Sequence, residues 1–160
     1  MTEWRASSDS EVVELAGRLR ALEWSWQLTD GAELAREFGW GVKSTRANSI
    51  MLDTGFGLVG GTIEGRDGRA DRIDVMVTER SGNDPERLRA AFTRMTTALS
   101  AALGEPTARL SGSAPEVRWA GPQTTLALTN LPTTVRLSLT TNERLARHDL
   151  GVEFERQGLL

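Results

Sequence analysis

With 160 residues, no cysteine and a formal net charge of −3, the chain reads as one domain long enough to bury a substantial core without disulfides or thiolate metal sites. The acidic balance, pI about 5.3, argues against nucleic acid as a partner, and the lack of about 18 consecutive apolar residues argues against a membrane span. The expectation is a soluble, cytoplasmic protein. Its cations are almost all arginine, Lys43 being the single lysine, which favours bidentate contacts with carboxylates.

Residues 1–8 lead into a first helix from about Ser10 to Glu23. Ser8 to Glu11 form a capping-box pattern, and Val12, Leu15, Leu19 and Leu22 make its buried stripe. A short helix over 32–38 follows, ended by Gly39. Trp24, Trp26 and Trp40 cluster around it and are expected to close one end of the core, while Trp4 lies outside the first helix and is expected to be exposed.

From Ser49 the period changes to two. Strands over 49–53, 58–64 and 72–79 make an antiparallel meander, with a hairpin turn at Gly65-Arg66-Asp67-Gly68. The spine is a long helix over 84–104. Asp84 caps it, Pro85 takes the first helical position, Gly104 ends it, and Leu88, Phe92, Met95, Leu99 and Leu103 share one face. Loops around Pro106 and over 111–115 lead to short strands over 117–120, 124–129 and 134–140. Residues 142–148 form two helical turns, and the tail over 154–160 has no assigned structure. The chain therefore reads as α+β: an antiparallel sheet of five to six strands, three before the long helix and two to three after it. The N-terminal helices and the helix over 84–104 pack on one face only.

Gly55, Gly57 and Gly60 match the glycine spacing of a dinucleotide fingerprint, but a strand follows where that chemistry needs a helix N-terminus. Turn formation and close packing explain these glycines better. His148, the single histidine, reads as a surface or helix-end residue. Carboxylates such as Asp53, Glu64, Asp74 and Glu79 sit on or beside strands without a spacing that forces them together. No catalytic residue, cofactor or metal ligand is assigned.

One constellation stands out. The sheet face turned away from the helices presents Met51, Asp53, Arg72, Asp74, Met76, Arg118, Arg136, Ser138 and Thr140, and Trp4 is a further candidate contact. Arginine and methionine beside acids suit recognition of another protein or of a second copy as a homodimer. A plain solvated sheet face has the same composition.

Trp24-Ser25-Trp26, Gly39-Trp40, Val117-Arg118-Trp119, Thr125-Leu126-Ala127-Leu128 and Val135-Arg136-Leu137-Ser138-Leu139, in this order of elements, resemble the small secretion-chaperone fold of class I type III chaperones. The pattern also looks like an uncharacterised family of small actinobacterial proteins associated with toxin and type VII secretion contexts. That resemblance implies a non-enzymatic protein that binds another protein, as an immunity protein or a dedicated chaperone for a secreted toxin or effector. Alternatives from the residues are a small-ligand protein or carboxylate hydrolase with a pocket at the sheet, and an oligomerisation domain.

Overall fold

Asp84 and Pro85 do what their chemistry predicts. The Asp84 carboxylate accepts a hydrogen bond from Arg87 N at 3.1 Å, and the helix Pro85–Leu103 runs from there to Gly104, whose φ of 96° ends it. This computed structural model describes residues 4–158; the outermost parts of the expected lead and tail, 1–3 and 159–160, lie outside the described residues.

In chain order the elements are α1 (Asp9–Arg20), a 3₁₀ turn (Leu28–Asp30), α2 (Gly31–Glu37), β1 (Gly41–Thr45), β2 (Ser49–Asp53), β3 (Gly61–Arg66) and β4 (Arg69–Met76), followed by α3 (Pro85–Leu103). The second half holds β5 (Ala108–Leu110), β6 (Glu116–Ala120), β7 (Thr124–Asn130), β8 (Val135–Thr141) and α4 (Asn142–Arg156). The strands form one antiparallel sheet in the order β1-β2-β3-β4-β8-β7-β6-β5. Each half of the chain is a meander, and the halves join where β4 pairs with β8.

The sheet has eight strands, not the five to six expected from the sequence. The additional ones are the edges. All of β5 and all but Ser44 of β1 are exposed, so neither carries the alternation that betrays a half-buried strand. The turn between β3 and β4 is also tighter than expected. Strand pairing continues to Arg66 opposite Arg69, with a bulge at Glu64/Gly65 absorbing the extra residue.

One face is apolar. Ile50, Leu52, Ile63, Ile73, Val75, Leu126, Leu128, Leu137 and Leu139 form a single buried cluster with Val12, Ala16 and Leu19 of α1, Leu34 of α2, and Leu88, Met95 and Leu99 of α3. Gly31 lets α2 approach closely, since a Cβ there would run into Ile50 Cδ1. The capping box of α1 is present, Ser8 and Glu11 exchanging side-chain and backbone bonds. Residues 5–7 run alongside 77–79, with Ser7 N donating to Val77 O at 2.8 Å and Glu79 N to Arg5 O at 2.8 Å.

The other face is not bare. The expectation placed helices on one side only, but α4 lies across the polar side. It extends to Arg156 rather than stopping at 148, and shows no apolar stripe because the surface it meets is itself polar.

Candidate functional site

Strand register builds the polar face from rows of facing residues. Met51, Thr62, Asp74, Ser138, Ala127 and Arg118 form one continuous row across six strands. On one side of it, Glu64, Arg72, Thr140 and Thr125 face one another in turn; on the other, Met76, Arg136, Thr129 and Glu116 do so. Opposite charges on neighbouring strands stand within reach.

Asp74 lies near the middle of this face and its side chain is only 8% exposed. Arg136 donates to its Oδ2 at 2.8 Å, and Arg72 stands 3.6 Å from the same oxygen. Asp74 Oδ1 and Arg72 Nε are buried without a hydrogen-bond partner among the described residues. Toward β6, Arg118 donates from Nε to Glu116 Oε2 at 2.6 Å, and Glu116 Oε1 accepts from Thr129 at 2.7 Å.

α4 completes the network from above. Thr141 caps it, its hydroxyl accepting from Arg144 N at 3.3 Å, and Asn142 accepts from Thr125 Oγ1 at 2.7 Å. Arg144 reaches Asp71 at 2.7 Å and Glu64 at 2.9 Å, and Arg147 approaches Asp71 at 3.5 Å. Asp149 receives both terminal nitrogens of Arg118. Burial opposes the charge on Glu64, yet hydrogen bonds from Arg144 and Thr62, with the charges of Arg144 and Arg72, hold its carboxyl below the ordinary carboxylate value. Burial also disfavours the charged forms of Arg118 and Arg144, and their hydrogen bonds to carboxylates outweigh it and raise both.

Openings surround α4. A cavity of about 70 Å³ lies between it and the sheet, touched by Arg72, Arg118, Ser138 and His148. Beside its first turn runs an open groove of about 770 Å³, bordered by Trp24, Trp26, Arg69, Asp71 and Arg147. The two tryptophan rings stand 5.1 Å apart. Trp26 holds φ at 58°, a conformation that bulky residues rarely adopt, while its carbonyl accepts from Ala70 N at 2.8 Å.

Of the residues singled out in the sequence, Arg72, Asp74 and Arg136 form one ion-pair group, Arg118 belongs to another with Glu116 and Asp149, and Ser138 stands beside Asp74 in the register, under α4. Met51 shares their row half-buried, and Met76 is buried opposite Arg136. Asp53 stands apart at the end of β2, accepting from Gly55 N at 3.1 Å. Trp4 is elsewhere too, and half-buried rather than exposed: its Nε1 donates to Glu79 O, and Arg87 of α3 lies over its ring. Residues 24–40 contribute half-buried rings packed on the core, with Phe38 stacked on Trp40 at 4.7 Å.

Sequence reasoning missed Asp71, Arg144, Arg147 and Asp149 as partners of the face. The alternating cations and acids of α4, on a helix without an apolar stripe, were the available sign. The glycine fingerprint resolves as a turn: Gly55 and Gly57 have positive φ, β3 follows, and a Cβ on Gly60 would strike Thr54 and Phe56.

The model of a protein family of unknown function, DUF6301, matches residues 10–141. The chain belongs to that family. No curated protein and no solved structure matches it. The DUF6301 span takes in every strand and the charged face, and ends at the residue that caps α4. No helix among the described residues is long and apolar enough to cross a membrane.

Proposed function

We propose that this protein is a non-enzymatic binding protein whose partner is another protein, met on the polar sheet face and along α4. One observation carries the reading: a helix already docks on that face through ion pairs and hydrogen bonds, without burying a side chain. Such a surface recognises a polypeptide by its charge pattern. Arginine forks opposite carboxylates confer specificity and fast association, and they leave the complex reversible.

The finer reading is an immunity protein or dedicated chaperone for a secreted toxin or effector, acting in the cytoplasm. It is supported by the resemblance of the tryptophan and strand motifs, and no functional residue is carried over with it. An immunity protein would be a monomer that binds one toxin, whereas a chaperone would dimerise and hold an extended segment.

Affinity capture from the native host lysate, with a photo-crosslinker placed at Arg72, tests the reading. A protein recovered in stoichiometric yield and crosslinked through that position is the expected outcome. Recovery of no protein, together with a metabolite that raises the melting temperature, would overturn it. The mass of the free protein in solution separates immunity protein from chaperone.

A further inference from the structure

α4 differs from the other helices in what retains it. α1 buries Val12, Ala16 and Leu19, α2 buries Leu34 and Ala35, and α3 buries Leu88, Ala91, Met95 and Leu99; no side chain of α4 is buried. Its Leu150 and Val152 are 55% and 42% exposed. Leu145 and Phe154 are half-buried, Leu145 over the cavity beneath the helix, so apolar contact contributes to docking without any fully buried anchor. Beyond its first residue, Asn142, which hydrogen-bonds Thr125, Gly121 and Gln123, the polar ties are the pairs made by Arg144, Arg147 and Asp149, and partly exposed ion pairs are weak singly and screened by salt. The cavity beneath the helix shows that its fit to the sheet is incomplete.

The seat and its occupant are also separable in the chain. Glu64, Asp71 and Arg118 lie inside the family match, and α4 begins immediately after it. Thr141 is at once the last residue of β8 and the cap of α4, so release can pivot there with the sheet intact.

We propose that α4 is an intramolecular stand-in on a docking seat for a helix of the partner protein. The partner's helix carries the same charge order: an arginine or lysine facing Glu64 and Asp71, then an acid five positions on, facing Arg118. This rests on the protein-binding reading above and names the segment recognised. Five residues advance a helix by about 7.5 Å and turn it by about 140°, so the cation and the acid flank the helix on either side, Arg144 toward Glu64 and Asp71 and Asp149 toward Arg118. A tethered helix competes at a high effective concentration, so the partner must add contacts. The groove beside the first turn, with Trp24 and Trp26 on its wall, offers apolar and aromatic area that α4 leaves open.

The test uses the full chain and a labelled peptide with the natural sequence of residues 142–158. In native protein, raising NaCl from about 0.05 M to about 1 M should speed amide exchange in α4 on the order of tenfold and leave α3 unchanged. In the Arg144→Glu/Arg147→Glu double variant, whose own α4 is repelled from the seat, the peptide should bind at least about tenfold more tightly than to native protein. A peptide with its charge order reversed should not bind. Retained α3 protection shows that the variant is folded. Salt-insensitive α4 exchange, or equal binding of natural and reversed peptides, overturns the proposal. So does a variant that dimerises by exchanging α4, which would make a second copy the occupant. The peptide comes from this chain, so these outcomes stand whether or not capture finds a partner.

Discussion

Arg118 grips Asp149 with both arms of its guanidinium, Nη1 to Oδ2 at 2.9 Å and Nη2 to Oδ1 at 3.1 Å. The same side chain, only 11% exposed, holds Glu116 through Nε. It is the sole tie between the β6 side of the sheet and α4 among the described side-chain ion pairs. Arg118→Ala should destabilise the protein by about 1–2 kcal/mol, because Glu116 keeps Thr129 and Asp149 is half exposed. Hydrogen exchange should show the loss concentrated in α4, with α1 and α3 still protected.

Acid should act on α4 before it acts on the core. The folded value of Glu64 lies below that of an unfolded glutamate, so its contribution is complete above the unfolded value and is lost as pH falls through the folded one. Exchange in α4, corrected for the intrinsic rate, should be level between about pH 7 and pH 5 and rise below about pH 4. Glu64→Gln should weaken α4 at neutral pH and shrink that acid rise.

Gly65 is the tightest backbone approach in the β3–β4 hairpin. A Cβ there would collide with the Arg69 carbonyl oxygen and stand 2.7 Å from its carbon and 2.8 Å from Ala70 Cα. Backbone cannot step aside as a side-chain tip can. Gly65→Ala should cost about 1–3 kcal/mol in chemical denaturation, with the bulge and the pairing of Arg66 with Arg69 disturbed.

Leu137 and Leu58 make a controlled pair. Leu137 is fully buried between Val75 and Leu128 in the sheet register, and Leu58 is 82% exposed. Leu137→Ala should lose about 2–5 kcal/mol, and Leu58→Ala should stay within about 0.5 kcal/mol. A loss at Leu58 comparable with that at Leu137 would mean that the 54–60 loop is covered in solution.

How far the sequence revealed all this depended on whether an element carried its own signal. The helix over 84–104 was legible within a residue at each end, since Asp84, Pro85, Gly104 and the apolar stripe agree. β2 was legible because Ile50 and Leu52 alternate with half-exposed and exposed neighbours. β1 and β5 have one strand partner each and no residue in the core, so nothing in their composition separates them from loop. The polar face was found as a set of residues because strands alternate. Its cover was not, because a helix seated on charges needs no apolar face and resembles solvated chain. Asp71 and Arg144 are bonded 73 residues apart, a distance over which only the folded sheet brings them together.

The two meanders meet only along β4 and β8, and α4 spans that seam: it grows out of β8 and grips Glu64 and Asp71 of the first half. The sheet is thus a laminate with a different adhesive on each side. Ionic strength screens the charged side, whereas strongly excluded salts such as sulfate tighten the apolar one. On the proposal that α4 is a releasable cover, the medium would unseal the polar surface while the strand ladder and the apolar face hold.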